Sequence, residues 1–251
     1  MKFLNNTQML IDEKNKRYLV KVTGKFEQIK DLGVIDTSKL IDKNNGEKIE
    51  INGHSFWIIE PTTEDILGVL ERSAQIIVSK DIAQILYKCN IRSGSLVIEA
   101  GAGSGSMSIA LLNAVKPSGK VITYELRPDF AEVARKNVDL VGLEKFWTLK
   151  LDDVAHINEE EIDCAVVDIP EPWSVTSLLY QALKSSGWFC AYVPTVSQVE
   201  HTVKSLKVLN FANIEATEIL ERKWIIGELG SRPETKMLGH TGFLVFARKI
   251  Q

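Results

Sequence analysis

The chain has 251 residues, 45% of them hydrophobic and 25% charged, which is the composition of an ordinary globular protein with room for one sizeable core and a small appendage. Collagen-like, disordered and disulfide-scaffold classes are excluded by that balance, and the formal charge of −3 excludes a chain that is basic throughout. The longest apolar runs, such as CAVV before Asp168 and WFCAYVP from Trp188, fall well short of the ~20 residues a membrane-spanning helix needs. The first residues show neither a continuous apolar stretch nor a small-residue cleavage site, so the expectation is a cytoplasmic protein.

Charge is unevenly distributed. Residues 1–30 carry seven Lys/Arg against three Asp/Glu, and residues 222–251 carry six against two. Such ends can present a basic face to a polyanion, or be solvated faces without special meaning. The three cysteines, Cys89, Cys164 and Cys190, show no CxxC pairing and no ligand-spaced His cluster, so they read as inert core residues and no metal site is expected.

In chain order, residues 1–61 read as a small all-β unit with strands over Arg17–Val22, Gly33–Ile35 and Lys48–Glu60. Asn52-Gly53, between KIEI and HSFWII, is a two-residue hairpin signal, because a type I′ turn demands positive φ at both positions. From Thr62 to Cys89 the apolar spacing becomes helical, with a polar interruption around Arg72 to Gln75, giving a helix, a loop and a second helix.

From Leu96, strand-like runs at Leu96–Ala100, Lys120–Glu125, Phe146–Leu151, Ile162–Asp168 and Trp188–Val193 alternate with helical patterns at Ser106–Val115, Asp129–Val141, Val175–Lys184 and Val196–Leu209. That alternation predicts an α/β fold, a doubly wound Rossmann-like parallel sheet over residues 62–251. Asn213–Glu221 and Thr241–Ala247 add an antiparallel pair at one sheet edge.

The first strand runs into Glu99-Ala100-Gly101-Ala102-Gly103-Ser104-Gly105-Ser106, so a glycine-rich turn lies where a doubly wound sheet binds its ligand. Positive-φ glycines and free N–H groups at the next helix favour a nucleotide-type ligand. The dinucleotide spacing GxGxxG fails, since Ser106 stands where Gly or Ala is needed. The stretch instead resembles the first motif of class I S-adenosylmethionine-dependent methyltransferases, which implies cofactor contacts from Glu99, Gly101, Gly103, Gly105 and Ser106. Glu125, at the end of the next strand, is placed to accept the ribose hydroxyls, the alternative being a surface glutamate. Asp153, after the third strand, matches the acid that receives the adenine amino group, the alternative being a solvated acidic turn or a cap.

The fourth strand leaves the sheet as Asp168-Ile169-Pro170-Glu171-Pro172-Trp173, a stiff loop offering an acceptor and a flat surface beside the methyl donor, suited to a planar nitrogen base. A rigid loop with Asp168 as a cap and Trp173 in the core is the alternative. With Arg72-Ser73-Ala74-Gln75-Ile76-Ile77, Lys80-Asp81, Tyr124-Glu125-Leu126-Arg127-Pro128, Gln198, Glu221-Arg222-x-Trp224, Arg232-Pro233 and Gly239-His240-Thr241-Gly242-Phe243-Leu244, the order of segments resembles the single-subunit tRNA (adenine-58, N1)-methyltransferase family of archaea and bacteria.

The resemblance implies several things. S-adenosyl-L-methionine is the cofactor, and the acceptor is N1 of adenine 58 in the T-loop, with adenine 57 left open. Asp168 is the catalytic residue and also touches the cofactor, while Gln75, Lys80, Trp173, Arg222, Arg232, His240 and Thr241 meet tRNA. The small N-terminal β-barrel and a homotetramer are implied as well. His240-Thr241 can alternatively close a structural turn. One departure is Val78-Ser79, where the family usually has an aromatic or His followed by Pro, which implies loss of a stacking or gating contact over the substrate pocket. Two other readings stay open: a class I methyltransferase acting on a protein carboxylate or tetrapyrrole precursor, and a noncatalytic tRNA-binding subunit.

Overall fold

A computed structural model describes residues 7–70, 76–228 and 230–251. The N-terminal strands are β1 (Thr7–Asp12), β2 (Arg17–Lys21), β3 (Phe26–Ile29), β4 (Gly33–Asp36), β5 (Lys48–Ile51) and β6 (His54–Ile59). They form an antiparallel sheet in the order β2-β1-β6-β5 and a separate β3-β4 ribbon. Along β6, Phe56 and Ile58 face inward and Trp57 outward, and they pack with Leu10, Val20, Ile35 and Leu40 into a cluster of their own. Asn52 and Gly53 adopt φ of 52° and 77°, the hairpin turn expected of them.

The sequence pattern missed β1 because it is the central strand of its sheet. Met9 and Leu10 are both fully buried there, so the alternation that marks a one-sided strand is absent.

Polar contacts among the described residues, and Leu19 packed on the main core, join this unit to the rest. Thr7 Oγ1 donates to the Leu140 carbonyl at 2.9 Å, and Arg17 Nε pairs with Asp65 Oδ1 at 2.9 Å. Asp65 also closes a capping box on α1 (Thr63–Val69), its Oδ2 accepting from the Thr62 N–H at 2.9 Å. Helix α2 (Ser79–Lys88) follows, and residues 71–75 between the two helices, including Gln75, lie outside the described residues.

The large sheet is built from β7 (Leu96–Ala100), β8 (Lys120–Tyr124), β9 (Trp147–Lys150), β10 (Ile162–Val167), β11 (Leu183–Val193), β12 (Phe211–Thr217) and β15 (Phe243–Lys249). Its order is β12-β15-β11-β10-β7-β8-β9, parallel from β11 to β9, with β15 antiparallel to both of its neighbours. Connecting helices are α3 (Ser106–Val115), α4 (Pro128–Val141), α5 (Thr176–Ala182) and α6 (Val196–Lys207). Val97 and Ile98, adjacent on β7, belong to two different hydrophobic layers, one on each face of the sheet. All three cysteines are buried.

Two details depart from the sequence pattern. α5 ends at Ala182 and β11 begins at once at Leu183, where the apolar spacing had suggested helix to Lys184. A hairpin, β13 (Trp224–Gly227) and β14 (Gly230–Pro233), stands between β12 and β15, and its strands of four residues each were too short to read from periodicity.

The chain leaves β7 toward β8 and β9 on one side, and returns to place β10 on the other. The crevice of a doubly wound sheet opens at such a switch point, above the carboxyl ends of β7 and β10.

Asp65 carries both the cap of α1 and the tether to Arg17. Asp65→Ala should therefore lower unfolding stability in urea by about 1–2 kcal/mol, most of it from the lost cap. An unchanged midpoint would show that neither contact contributes.

Candidate active site

The glycine turn closes the crevice because β7 and β10 end in contact. The Asp168 N–H donates to the Ala100 carbonyl at 2.8 Å, and the Gly101 N–H to the Tyr124 carbonyl at 2.9 Å. Gly101 has φ of 92°, and a Cβ there would lie 2.2 Å from the Asp168 carbonyl oxygen, so no other residue fits. Gly105, with φ of 76°, begins α3 and packs against Ala134 of α4, where a Cβ would come within 3.1 Å of its Cα. Asn137 of α4 donates to the Ser104 carbonyl at 2.8 Å and so fixes the turn from the far side. Sequence reading missed Asn137, whose only signal is an amide on the inward face of an amphipathic helix.

Three carboxyls surround this turn. Glu99 is buried between α3 and β8, with Oε2 accepting from Ser108 Oγ and Thr123 Oγ1 at 2.6 Å each, while Oε1 has no partner. Burial pushes its pKa up to about 8 against the lowering effect of those two hydroxyls, so it is a neutral acid at pH 7. Glu125 is also buried, and its carboxylate caps the turn: Oε2 accepts from the Ala102 N–H at 2.8 Å and Oε1 from the Arg127 N–H at 2.9 Å. A ribose would share these oxygens with the backbone.

Asp168 is the third. Asp168 is exposed to solvent yet crowded by the surrounding protein. That crowding, with the charge of Glu125, pushes its carboxyl up to about 6. Ser106 lies buried at the start of α3 with an unpartnered hydroxyl. A tight cradle, unpartnered buried oxygens and clustered carboxyls suit a ligand carrying positive charge with hydrogen-bonding groups.

The remaining expected residues fall in different places. Asp153 is half-buried and caps a short 3-10 turn, Oδ1 accepting from the Ala155 N–H at 2.8 Å. Trp173 follows Asp168 on the stiff loop and packs edge-on against His201 of α6 with ring centroids 5.0 Å apart. Gln198, also on α6, donates to the Pro170 carbonyl at 2.9 Å, so one helix braces the loop twice.

Lys80, whose side chain is 10% exposed, and the buried Thr241 lie together and line one cavity. Lys80 Nζ donates to Asp81 Oδ1 at 2.8 Å and to Thr241 Oγ1 at 2.7 Å, and that hydroxyl donates to Asp81 Oδ2 at 2.7 Å. Burying an aspartate requires such compensation, which is why these cations and hydroxyls turn inward. His240 spans Glu218 Oε1 at 2.6 Å and the Pro194 carbonyl at 2.8 Å. The Glu218 contact, with the Pro194 carbonyl behind it, raises the His240 pKa. Arg222 and Arg232 are exposed, Arg232 on β14. No group of three or more His, Cys, Asp or Glu suited to a metal occurs among the described residues.

A family model described as the tRNA methyltransferase complex GCD14 subunit matches residues 54–229. A tRNA (adenine(57)-N(1)/adenine(58)-N(1))-methyltransferase TrmI from Methanocaldococcus jannaschii is 38% identical, covering 96% of this chain and 94% of the relative. The chain belongs to this tRNA methyltransferase family. Among solved structures, a tRNA (m1A58) methyltransferase TrmI from Aquifex aeolicus has a TM-score of 0.78 at 30% identity, with 98% of each chain covered. A protein named as a SAM-dependent O-methyltransferase from Thermotoga maritima has a TM-score of 0.86 at 32% identity, covering 99% of this chain and 94% of that one.

In this tRNA methyltransferase, the raised Asp168 carboxyl sets a pH dependence. If the carboxylate is the working form, kcat/KM for methyl transfer rises about tenfold per pH unit up to about pH 6, levels off above it, and loses that step in Asp168→Asn. A wild-type profile flat from pH 5 to 7 would contradict this.

Proposed function

We propose that this chain transfers the methyl group of S-adenosyl-L-methionine to N1 of adenine 58 in the T-loop of tRNA, with adenine 57 to be scored as a second target. The observation that carries the reading is the position of Asp168: a crevice carboxylate at the end of β10, in contact with the glycine turn, that takes no hydrogen bond from any described residue.

The cofactor, when bound, supplies an electrophilic methyl group on a sulfonium. The Gly101–Gly105 turn lets the backbone approach it, and the first N–H groups of α3, beside Ser106, suit its carboxylate. Glu125 serves the ribose hydroxyls and Asp153 the adenine amino group. Adenine N1 attacks through an in-plane lone pair, so no proton needs to leave first and the product ring is cationic. Asp168 accepts a hydrogen bond from the exocyclic amino group, which orients N1 and stabilises the charge as it develops. The loop that holds Trp173 forms a wall beside the acceptor base.

Residue 58 sits inside a folded arm, so its base must be extruded at a cost of a few kcal/mol. Phosphate contacts from the exposed Arg222, Lys223, Arg232 and Lys236 offset that cost. We further read the enzyme as cytoplasmic and homotetrameric. What supports assembly is the open apolar hairpin, where Trp224, Ile225 and Ile226 are 59%, 43% and 78% exposed. No helix of the described residues is long and apolar enough to cross a membrane.

The test is nucleoside mass spectrometry with reverse-transcription stop mapping on unmodified tRNA. The expected result is 1-methyladenosine with a stop at 58 that disappears when that base is replaced. Protein that binds the cofactor yet leaves every nucleoside unmethylated would move the acceptor to another molecule.

A further inference from the structure

Apart from the methyl-transfer crevice, a cavity of about 300 Å³ opens between the amino end of α2 and the segments flanking the β13–β14 hairpin. One wall is Thr241, whose hydroxyl lies between Lys80 and Asp81 and whose carbonyl receives the Tyr192 hydroxyl. Tyr192 follows Ala191, the register partner of Val167 on β10, so it stands on the strand beside Asp168. The cavity therefore lies next to the strand end that carries Asp168.

Its lining is of two kinds. Val78, Met237 and Leu238 offer apolar surface, and the last two are left 43% and 64% exposed. Lys223 and Lys236 stand beside them without an ion pair among the described residues, and Glu221 and Glu234 add acceptors. Apolar faces with both donors and acceptors around them match a nucleobase on its phosphate backbone better than a bare anion, which would not use the former, or a lipid chain, which would not use the latter. The volume is at the small end of the ~300–1,000 Å³ of ligand pockets, room for one nucleotide.

We propose that this cavity holds the nucleotide adjacent to the methylated adenosine, unstacked, its base on Val78, Met237 and Leu238 and its phosphate on Lys223 and Lys236. The assignment rests on the tRNA reading above. Extruding one base from a stacked loop strips its neighbour of a stacking partner, and a surface next to that strand end replaces that partner. Val78 then contributes to the neighbour's seat, in the position where an aromatic or histidine was missing from the sequence.

A double-mutant cycle across protein and RNA tests this. Single-turnover methylation of adenine 58 is measured for wild type and for Met237→Ser/Leu238→Ser, on intact tRNA and on tRNAs with an abasic ribose at 57 or at 59. Loss of base stacking predicts about a tenfold slowing from the protein change alone and a similar slowing from one of the two abasic changes alone, with little further loss when they are combined. Any effect of the abasic ribose on tRNA folding is common to both proteins and cancels. Lys223→Ala/Lys236→Ala should raise the KM for tRNA while leaving cofactor affinity unchanged. Effects that simply multiply for both abasic tRNAs, or serine variants as fast as wild type, would overturn the assignment while leaving the tRNA reading intact. Failure of wild type to methylate intact tRNA would defeat both.

Discussion

The site depends on one close contact, the meeting of β7 and β10 at their carboxyl ends. The Ala100 carbonyl accepts the Asp168 N–H, and the Asp168 carbonyl occupies the space a side chain at 101 would need. This fixes the spacing between the glycine turn, proposed to approach the cofactor, and the Asp168 carboxyl, proposed to address the acceptor. Both come from adjacent strands of one rigid sheet, and sites built on such elements hold their geometry more tightly than sites carried on loops. The brace from Gln198 to Pro170 and the packing of Trp173 on His201 extend that rigidity into the substrate wall.

Electrostatics follow from the same closeness. Glu99, Glu125 and Asp168 lie near enough for Glu125 to raise Asp168, and for both to raise Glu99. A site that holds like charges together without a ligand gains most from a ligand that brings positive charge, which a sulfonium does. The Lys80–Asp81–Thr241 group, its aspartate fully buried, is an internally neutralised unit that joins α2 to the segment before β15.

Much of this was legible in the sequence because the responsible constraints are local. Strict spacing marks the glycine turn and the alternation of strands and helices. Asn52-Gly53 signals its hairpin through backbone preference alone. What was not legible depends on tertiary surroundings. The strand holding Met9 and Leu10 lacks alternation because both of its faces are covered. The inward turn of Lys80 arises from Asp81 and Thr241, and Thr241 is 161 residues away from Lys80 in the chain. Glu99 could be picked out as the motif acid, but its protonated state needs the burial that only the fold supplies. The hairpin from Trp224 to Pro233 is not legible because its two strands of four residues each are too short to show a period.

In the proposed mechanism Asp168 acts on the acceptor base while the glycine turn independently holds the cofactor. Asp168→Ala separates the two most directly, with single-turnover methyl transfer to tRNA measured beside cofactor affinity by calorimetry. Removal of a charge-stabilising group predicts a loss of about a hundredfold or more in rate, with the cofactor dissociation constant changed only slightly. Near-normal turnover, or a loss explained entirely by failed cofactor binding, would contradict the account.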